Sequence, residues 1–303
     1  MSFTVPTHFV QAYSTNVAML LQQRGGKLVN TVQQATYTGK GAKAVEQFGA
    51  VKPVKNLSRH ADTPLISTPD DARWVYPNDY EWGDLIDTQD RLRMLIDPTS
   101  SYVQNAANAM RRAQDDEILQ SFFASANTGE NGTTATTFPA GQIVGVNVGG
   151  TNSNLNVAKL RAAKRLFLAA GVDLEADQLF VAITSGDHDG LLNEIQVTNL
   201  DYNTRPTLVE GRVTAFMGFN FIPVEFTDTN SYSLDTVSAL TSGANRLLPC
   251  WARSGMHLGV WQDVMTQVDV RPDKRNATQV YAKTTIGATR LEEKRIVQIQ
   301  TTG

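Results

Sequence analysis

The longest regular pattern in the chain runs from an Asp-Pro step at residues 97–98 to Ala126, with no glycine or proline after the step. A four-spaced row, Tyr102, Ala106, Met110, Gln114, Ile118, Phe122 and Ala126, is flanked by Val103, Ala107, Leu119 and Phe123. Apolar groups therefore line one face of a predicted helix. Asp97 offers a capping side chain, and Pro98 occupies a first helical position where its missing N–H costs nothing. At a rise of about 1.5 Å per residue the helix would be about 43 Å long. The Thr-, Asn- and Gly-rich run that follows breaks it.

A second amphipathic pattern covers residues 155–170 and stops at Gly171 in the manner of a C-cap. An apolar strand is expected at 178–184, then a Ser-Gly-Asp-His-Asp-Gly turn leading into a short helix at 191–195. Residues 218–226 read as a strand whose Pro223 suggests a sheet edge. Residues 264–272, 278–286 and 290–300 alternate or cluster as strands do. Residues 1 to about 45 are polar and glycine-spotted, with one helix expected at 10–23 before Gly25-Gly26, the pattern of an arm more than of a core. Strands at 45–54 and 72–76 enclose a turn-rich stretch, so a long hairpin should project from the body. Helices and strands are segregated and no internal repeat occurs, which makes the fold class α+β.

Residues 70–87 set Trp74, Tyr76, Tyr80 and Trp82 among five aspartates and a glutamate. Rings need cover and acids need water, so the expectation is that other copies of the chain help cover this segment. The hairpin is also lopsided in charge. Its outgoing half carries Lys40, Lys43, Lys52, Lys55 and Arg59 against Glu46, while the return carries Asp70, Asp71, Asp79, Glu81, Asp84, Asp87 and Asp90 against Arg73. Such halves can neutralise each other or select a neighbour's hairpin.

Composition narrows the function classes. Charged residues make up 19% of the 303, below the about 25% of an average soluble protein, and interfaces are poor in Lys, Glu and Asp. A net charge of −3, with no run of Lys or Arg longer than two, excludes affinity built on neutralising phosphates; any contact with DNA should be weak. The lone Cys250 excludes an internal disulfide and multi-cysteine metal sites, fits a reducing compartment, and reads as a small buried hydrophobe. Neither a basic-then-apolar leader nor an apolar run of about 18 residues occurs, so no standard secretion signal and no membrane span are expected.

Candidate chemistry is sparse. His8, His60, His188 and His257 are scattered without metal-ligand spacing. The sharpest candidate is residues 184–190, where Asp187 and Asp189 bracket His188 at a strand end, a location that suits catalysis; a turn and a helix cap ask for the same residues. The Gly-Lys-Gly-Ala-Lys run at 39–43 lacks phosphate-loop spacing, and no Gly-x-Ser-x-Gly elbow exists. Asn56, Asn131 and Asn276 match a glycosylation pattern that means nothing without secretion. No catalytic, cofactor-binding or metal-binding residue is assigned.

The order of elements carries more than any motif. DLIDTQDRLRMLIDPTSSYVQNAANAMRRAQDDEIL, residues 84–119, looks like the strand, Asp-x-x-Asp step and spine helix of tailed-bacteriophage major capsid proteins of the Hong Kong 97 fold, short-tailed type. Asp87, Asp90, Asp97 and Tyr102 stand where that pattern is expected. NVAKLRAAKRLFLAAGVDLEADQLFVAITSGDHDGLLN resembles the helix, strand and short helix of their axial domain, and GRVTAFMGFNFIPVEF the turn and strand that follow. VDVRPDKRNATQVYAKTTIGATRLEEKRIVQIQ is similar to their final strands, with a Gly-Ala-x-Arg turn at 287–290.

The resemblance implies an N-terminal arm at 1–41 and an extended β-hairpin loop at 42–87 lying over the adjacent subunit. It implies a peripheral domain with the spine helix at 88–150 and 265–303, and a mixed axial domain at 151–264. It further implies a non-enzymatic capsid protein of the virion that self-assembles as hexamers and pentamers into an icosahedral head around double-stranded DNA. A separate scaffolding protein and a portal would be partners, with no membrane. Some relatives join subunits through a Lys–Asn isopeptide bond; Lys52 and Lys55 lie in this loop, but crosslinking is not expected. The alternatives are an encapsulin-like compartment, which shares the fold, and a soluble hydrolase using Asp187, His188 and Asp189.

Overall fold

A computed structural model of the chain describes residues 25–55, 62–86, 99–198, 208–209, 212–225 and 240–302. Strands β1 (Gln33–Thr36), β2 (Ala42–Phe48), β3 (Asp70–Val75) and β4 (Asn78–Ile86) precede helix α1 (Thr99–Ser121). Then come β5 (Ala126–Thr128), β6 (Thr134–Thr136), β7 (Ile143–Val144), α2 (Val157–Ala169), β8 (Leu179–Ile183), α3 (Ser185–Leu192) and α4 (Ile195–Thr198). The remaining elements are strands: β9 (Leu208–Val209), β10 (Arg212–Val213), β11 (Ala215–Phe216), β12 (Phe219–Pro223), β13 (Thr241–Ser242), β14 (Asn245–Ala252), β15 (Met256–Arg271), β16 (Ala277–Arg290) and β17 (Ile296–Thr302).

The main core surrounds a mixed sheet of order β11-β12-β8-β14-β17-β7, with β13 beside β14. β8, Leu-Phe-Val-Ala-Ile, is buried at all five positions, as a central strand covered on both faces must be. Trp251 of β14 is fully buried, its ring 4.7 Å from that of Phe122, and its Nε1 donates to the Thr31 carbonyl at 3.1 Å. Pro223 sits one strand in from the edge, yet its missing donor is harmless because β11 reaches only Phe219 and Asn220.

Helix α2 follows its local signals. Asn156 accepts from Lys159 N at 2.8 Å at the start, and at the end Gly171 takes φ +79 while Val172 N bonds the Phe167 carbonyl at 3.1 Å. That six-to-one bond with a left-handed glycine is the expected C-cap. The Ser-Gly-Asp-His-Asp-Gly segment departs from expectation, because it is not a turn before a helix but the body of α3 itself. Thr184 caps it by accepting from Asp187 N, and Gly190 lets the helix approach closely, since a Cβ there would lie 2.9 Å from Asn154 Cβ.

A second sheet has the order β1-β15-β16-β4, and β4 pairs with β16 along its whole length. Helix α1 lies on one face, packing Ala106 and Met110 onto Ala282 with Tyr80, Trp82 and Val264 around them. α1 stops at Ser121, five residues short of Ala126, and its 23 described residues span about 35 Å. The cause is Arg290, whose buried guanidinium draws the carbonyls of Phe122 and Ala124, after which Ala126 enters β5. The Asp-Pro cap of this helix lies outside the described residues, as does the helix expected at 10–23. The Gly-Ala-x-Arg step at 287–290 is a continuation of β16 and not a turn. Gly287 serves a crossing: a Cβ there would stand 2.0 Å from the Tyr76 carbonyl oxygen.

Residues 25–36, expected in an arm, tie into the body. Leu28 and Val32 are buried in the main core, and β1 runs parallel to the start of β15. The Asp115 carboxylate of α1 accepts from Lys27 N at 3.1 Å and Leu28 N at 3.0 Å. Gly25 crosses the helix so closely that a Cβ would lie 2.2 Å from Arg112 N.

Candidate assembly surface

β2 and β3 form an antiparallel hairpin whose base joins a small sheet of order β2-β3-β5-β6. Beyond Phe48 and before Asp70 the described chain continues without strand pairing. This distal part is apolar and uncovered: Phe48 is 76% exposed and Leu65 fully so, with Val51, Val54 and Ile66 exposed beside them. Lys52 and Lys55 are exposed in the same stretch.

The two charged halves do not neutralise each other in register. Lys43 stands opposite Trp74, Val45 opposite Arg73 and Gln47 opposite Asp71. Lys43 instead pairs with Glu46 of its own strand at 3.2 Å and lies 5.6 Å from the Trp74 ring centroid. Asp71 accepts from Gly129 N at 2.9 Å. Arg59, Asp87 and Asp90 lie outside the described residues.

The hairpin base is anchored by groups far apart in sequence. Arg73, nearly buried, reaches Glu293 through both terminal nitrogens, each 2.8 Å from a carboxylate oxygen. Arg290 lies 4.0 Å from the same carboxylate and donates to the Thr136 carbonyl at 3.0 Å. Burial lowers the Arg290 guanidinium to about 10, opposed by Glu293 and assisted by Arg73. Even so it stays charged at neutral pH. Neither the hairpin's charge tally, which includes Arg73, nor the Gly-Ala-x-Arg step, which ends at Arg290, pointed to Glu293, because the bond from Arg73 to Glu293 spans 220 residues.

Within one chain, three of the four rings are partly covered. Trp74 Nε1 donates to the Gly129 carbonyl at 2.9 Å, and Tyr80 and Trp82 pack under α1. Tyr80 OH and Asn78 Nδ2 both donate to Glu117 of α1. Burial, together with that carboxylate, holds the Tyr80 phenol above its usual range. Tyr76 alone remains substantially open, at 40%.

The candidate triad does not assemble. Asp187 is fully buried, accepting from Leu155 N at 3.2 Å and from Thr184 Oγ1 at 2.6 Å, with Arg246 3.9 Å away. His188 Nε2 accepts from Val213 N at 3.2 Å, and Asp189 accepts from Asn193 Nδ2 at 3.4 Å. His188 lines a 400 Å³ cleft with Lys27, Arg212 and Glu225, but neither aspartate does. Lys159, beside Asp187, is brought down to about 8 by burial and donates to the carbonyls of Ser153 and Asn154. These groups join α2 to α3 and leave no acid, base and nucleophile facing a common point. Cys250 is buried, and burial raises its thiol. Among the described residues no group of three or more His, Cys, Asp and Glu could hold a metal, and no helix is long and apolar enough to cross a membrane.

Comparisons with known proteins give one consistent result. A family model described as phage capsid protein matches residues 5–302. A search of curated proteins finds no match. Among solved structures, the capsid asymmetric unit of cyanophage Pam1 is 14% identical, with a TM-score of 0.69 over 99% of this chain and 98% of that one. The capsid structure of cyanophage P-SCSP1u, also 14% identical, has a TM-score of 0.67 over 98% and 94%. A chain of Mycobacterium phage Che8, 12% identical, has a TM-score of 0.67 over 97% and 98%.

Proposed function

The chain belongs to the phage capsid protein family, and on that premise we propose that it is the major capsid protein of a tailed phage. In this reading its copies assemble as hexamers and pentamers into the icosahedral head that encloses double-stranded DNA. Its fold is of the Hong Kong 97 kind, matched over nearly its full length. It is a structural protein and not an enzyme.

The observation that carries the proposal is the distal hairpin. Phe48, Val51, Val54, Leu65 and Ile66 are exposed on a segment standing off the body, and apolar surface of that kind marks an interaction site. The loop at 42–87 reaches over the adjacent subunit with its distal part, while β4 at its end stays in the sheet under α1. α1 with the returning strands β15 and β16 forms the body of the peripheral domain proposed at 88–150 and 265–303, while β7 and β17, inside those bounds, join the sheet of 151–264. Residues 151–264 form the axial domain at capsomer centres, and 1–41 the arm, whose last part is bound into the body. The short-tailed type, a separate scaffolding protein and a portal complete the proposal. A net charge of −3 suits a wall that touches packaged DNA weakly.

The test is electron microscopy of the protein expressed alone and with a co-expressed scaffolding protein, followed by analysis of what the particles contain. Closed shells, empty or holding the scaffolding protein, are expected. A monodisperse monomer under all conditions overturns the proposal, and shells filled with a cargo enzyme replace it with a compartment.

A further inference from the structure

The two edges of the second sheet are treated differently. β4, one edge, carries Asp79, Glu81 and Asp84 within nine residues, the kind of charge that keeps an edge from pairing. β15, toward the other edge, is paired on its outer side by β1 only as far as Val260, and among the described residues no strand pairs there beyond it. Two bulges fall between Val260 and Met265; from Met265 to Arg271 the pairing with β16 is regular. Every residue from 265 to 270 is exposed, including Val268 at 44% and Val270 at 58%.

This edge is apolar on the face that the helix uses. Thr266, Val268 and Val270 stand opposite Ala282, Val280 and Thr278 of β16, all three buried, and Ala282 lies in the cluster under α1. A regularly paired strand with its outer N–H and C=O groups open and an apolar row beside it is a template for another strand. We infer that residues 263–271 of β15 pair antiparallel with the same residues of a second copy of this chain, about a two-fold axis passing between the two Gln267 residues.

The register follows from charge and side-chain alternation. Centred on Gln267, the pairing sets Asp263 opposite the copy's Arg271 twice, and Val264 opposite Val270 and Thr266 opposite Val268 on the helix face. Shifting the centre to Asp269 would set two aspartates face to face. A two-fold perpendicular to the sheet keeps both helices on one side and continues the sheet across the contact. Arg271 already holds Asp273 at 2.6 Å and Gln279 at 2.8 Å, so the extra pair adds direction more than strength.

The inference rests on the capsid reading for the context in which copies meet, and cysteine crosslinking in assembled shells tests it. Gln267→Cys should give disulfide-linked dimers in most chains on mild oxidation, because residues opposite one another have Cα atoms about 4.5–5.5 Å apart, within disulfide reach. Asp263→Cys and Arg271→Cys should each stay monomeric, their like positions being about 27 Å apart, while the double variant crosslinks. The wild type is the blank, since its one cysteine is buried. Normal shells in which neither Gln267→Cys nor the double variant crosslinks overturn the inference, including the case of another segment seated on this edge. Failure of the wild type to form shells overturns the capsid reading instead.

Discussion

At Gly287 the absence of a single carbon decides how the hairpin joins the body. A Cβ there would stand 2.0 Å from the Tyr76 carbonyl oxygen, so Gly287→Ala pushes the link between β3 and β4 away from β16 and should destabilise the folded monomer by about 1–3 kcal/mol or more. The midpoint of denaturant unfolding reads this directly. Arg73→Ala leaves Glu293 and Arg290 in a poorly solvated junction; removing one partner of such a buried pair should cost about 3–5 kcal/mol, again seen in unfolding. Two buried titrating groups act in opposite directions. Burial lowers His257 to about 4, so its contribution is present above its unfolded pKa of about 6.5 and is lost as pH falls toward 4. Burial raises Asp115 to about 6, so its contribution is present below about 3.8 and is lost as pH rises toward 6. Relative to the parent, His257→Gln should gain stability on acidification from pH 6.5 to 4, and Asp115→Asn should lose it between pH 6 and 4. Unfolding midpoints across that range check both slopes.

At the scale of elements, the exposed hairpin lets folding and assembly be tested apart. Lys52 and Lys55 are exposed and unpaired within the hairpin register, and exposed positions usually change stability by no more than about 0.5 kcal/mol. Reversing Lys52, Lys55 and Arg59 together to Glu should therefore leave the monomer folded while shell formation fails or slows, as measured by circular dichroism beside sedimentation. Normal shells from that variant would remove the charge role of the loop. Element by element, legibility followed locality. α2 with its Gly171 cap, β8 and the strands of β15 to β17 were readable because periodicity and capping depend on neighbours within about five residues. The far end of α1 was not, because Arg290 ends it from more than 160 residues away. α3 is hidden at the level of sequence because Gly186 and Gly190 suggest a turn, while Thr184 caps a helix by accepting from Asp187 N.

For the whole molecule, a shell wall needs no single strong contact. Identical interfaces repeat over a closed lattice, and modest ones suffice when each copy is held by several at once. The body that carries those interfaces is itself well closed: residues 25–36 bind α1, β15 and the main core together. Exposed apolar surface is concentrated on the distal hairpin and the outer part of β15. That division suits a subunit that folds first and assembles afterwards.

By itself the sequence determined the α+β class, the long helix α1 and the β2–β3 hairpin, since each of these is written in local spacing and in residue types. Tertiary structure alone decided that the rings at 74, 80 and 82 are partly covered by their own chain, that Asp187, His188 and Asp189 turn to separate partners, and that Arg73 meets Glu293. The reason is combinatorial: a buried charge or ring requires a partner, but many residues in a chain of this length could serve, and only packing selects which one arrives.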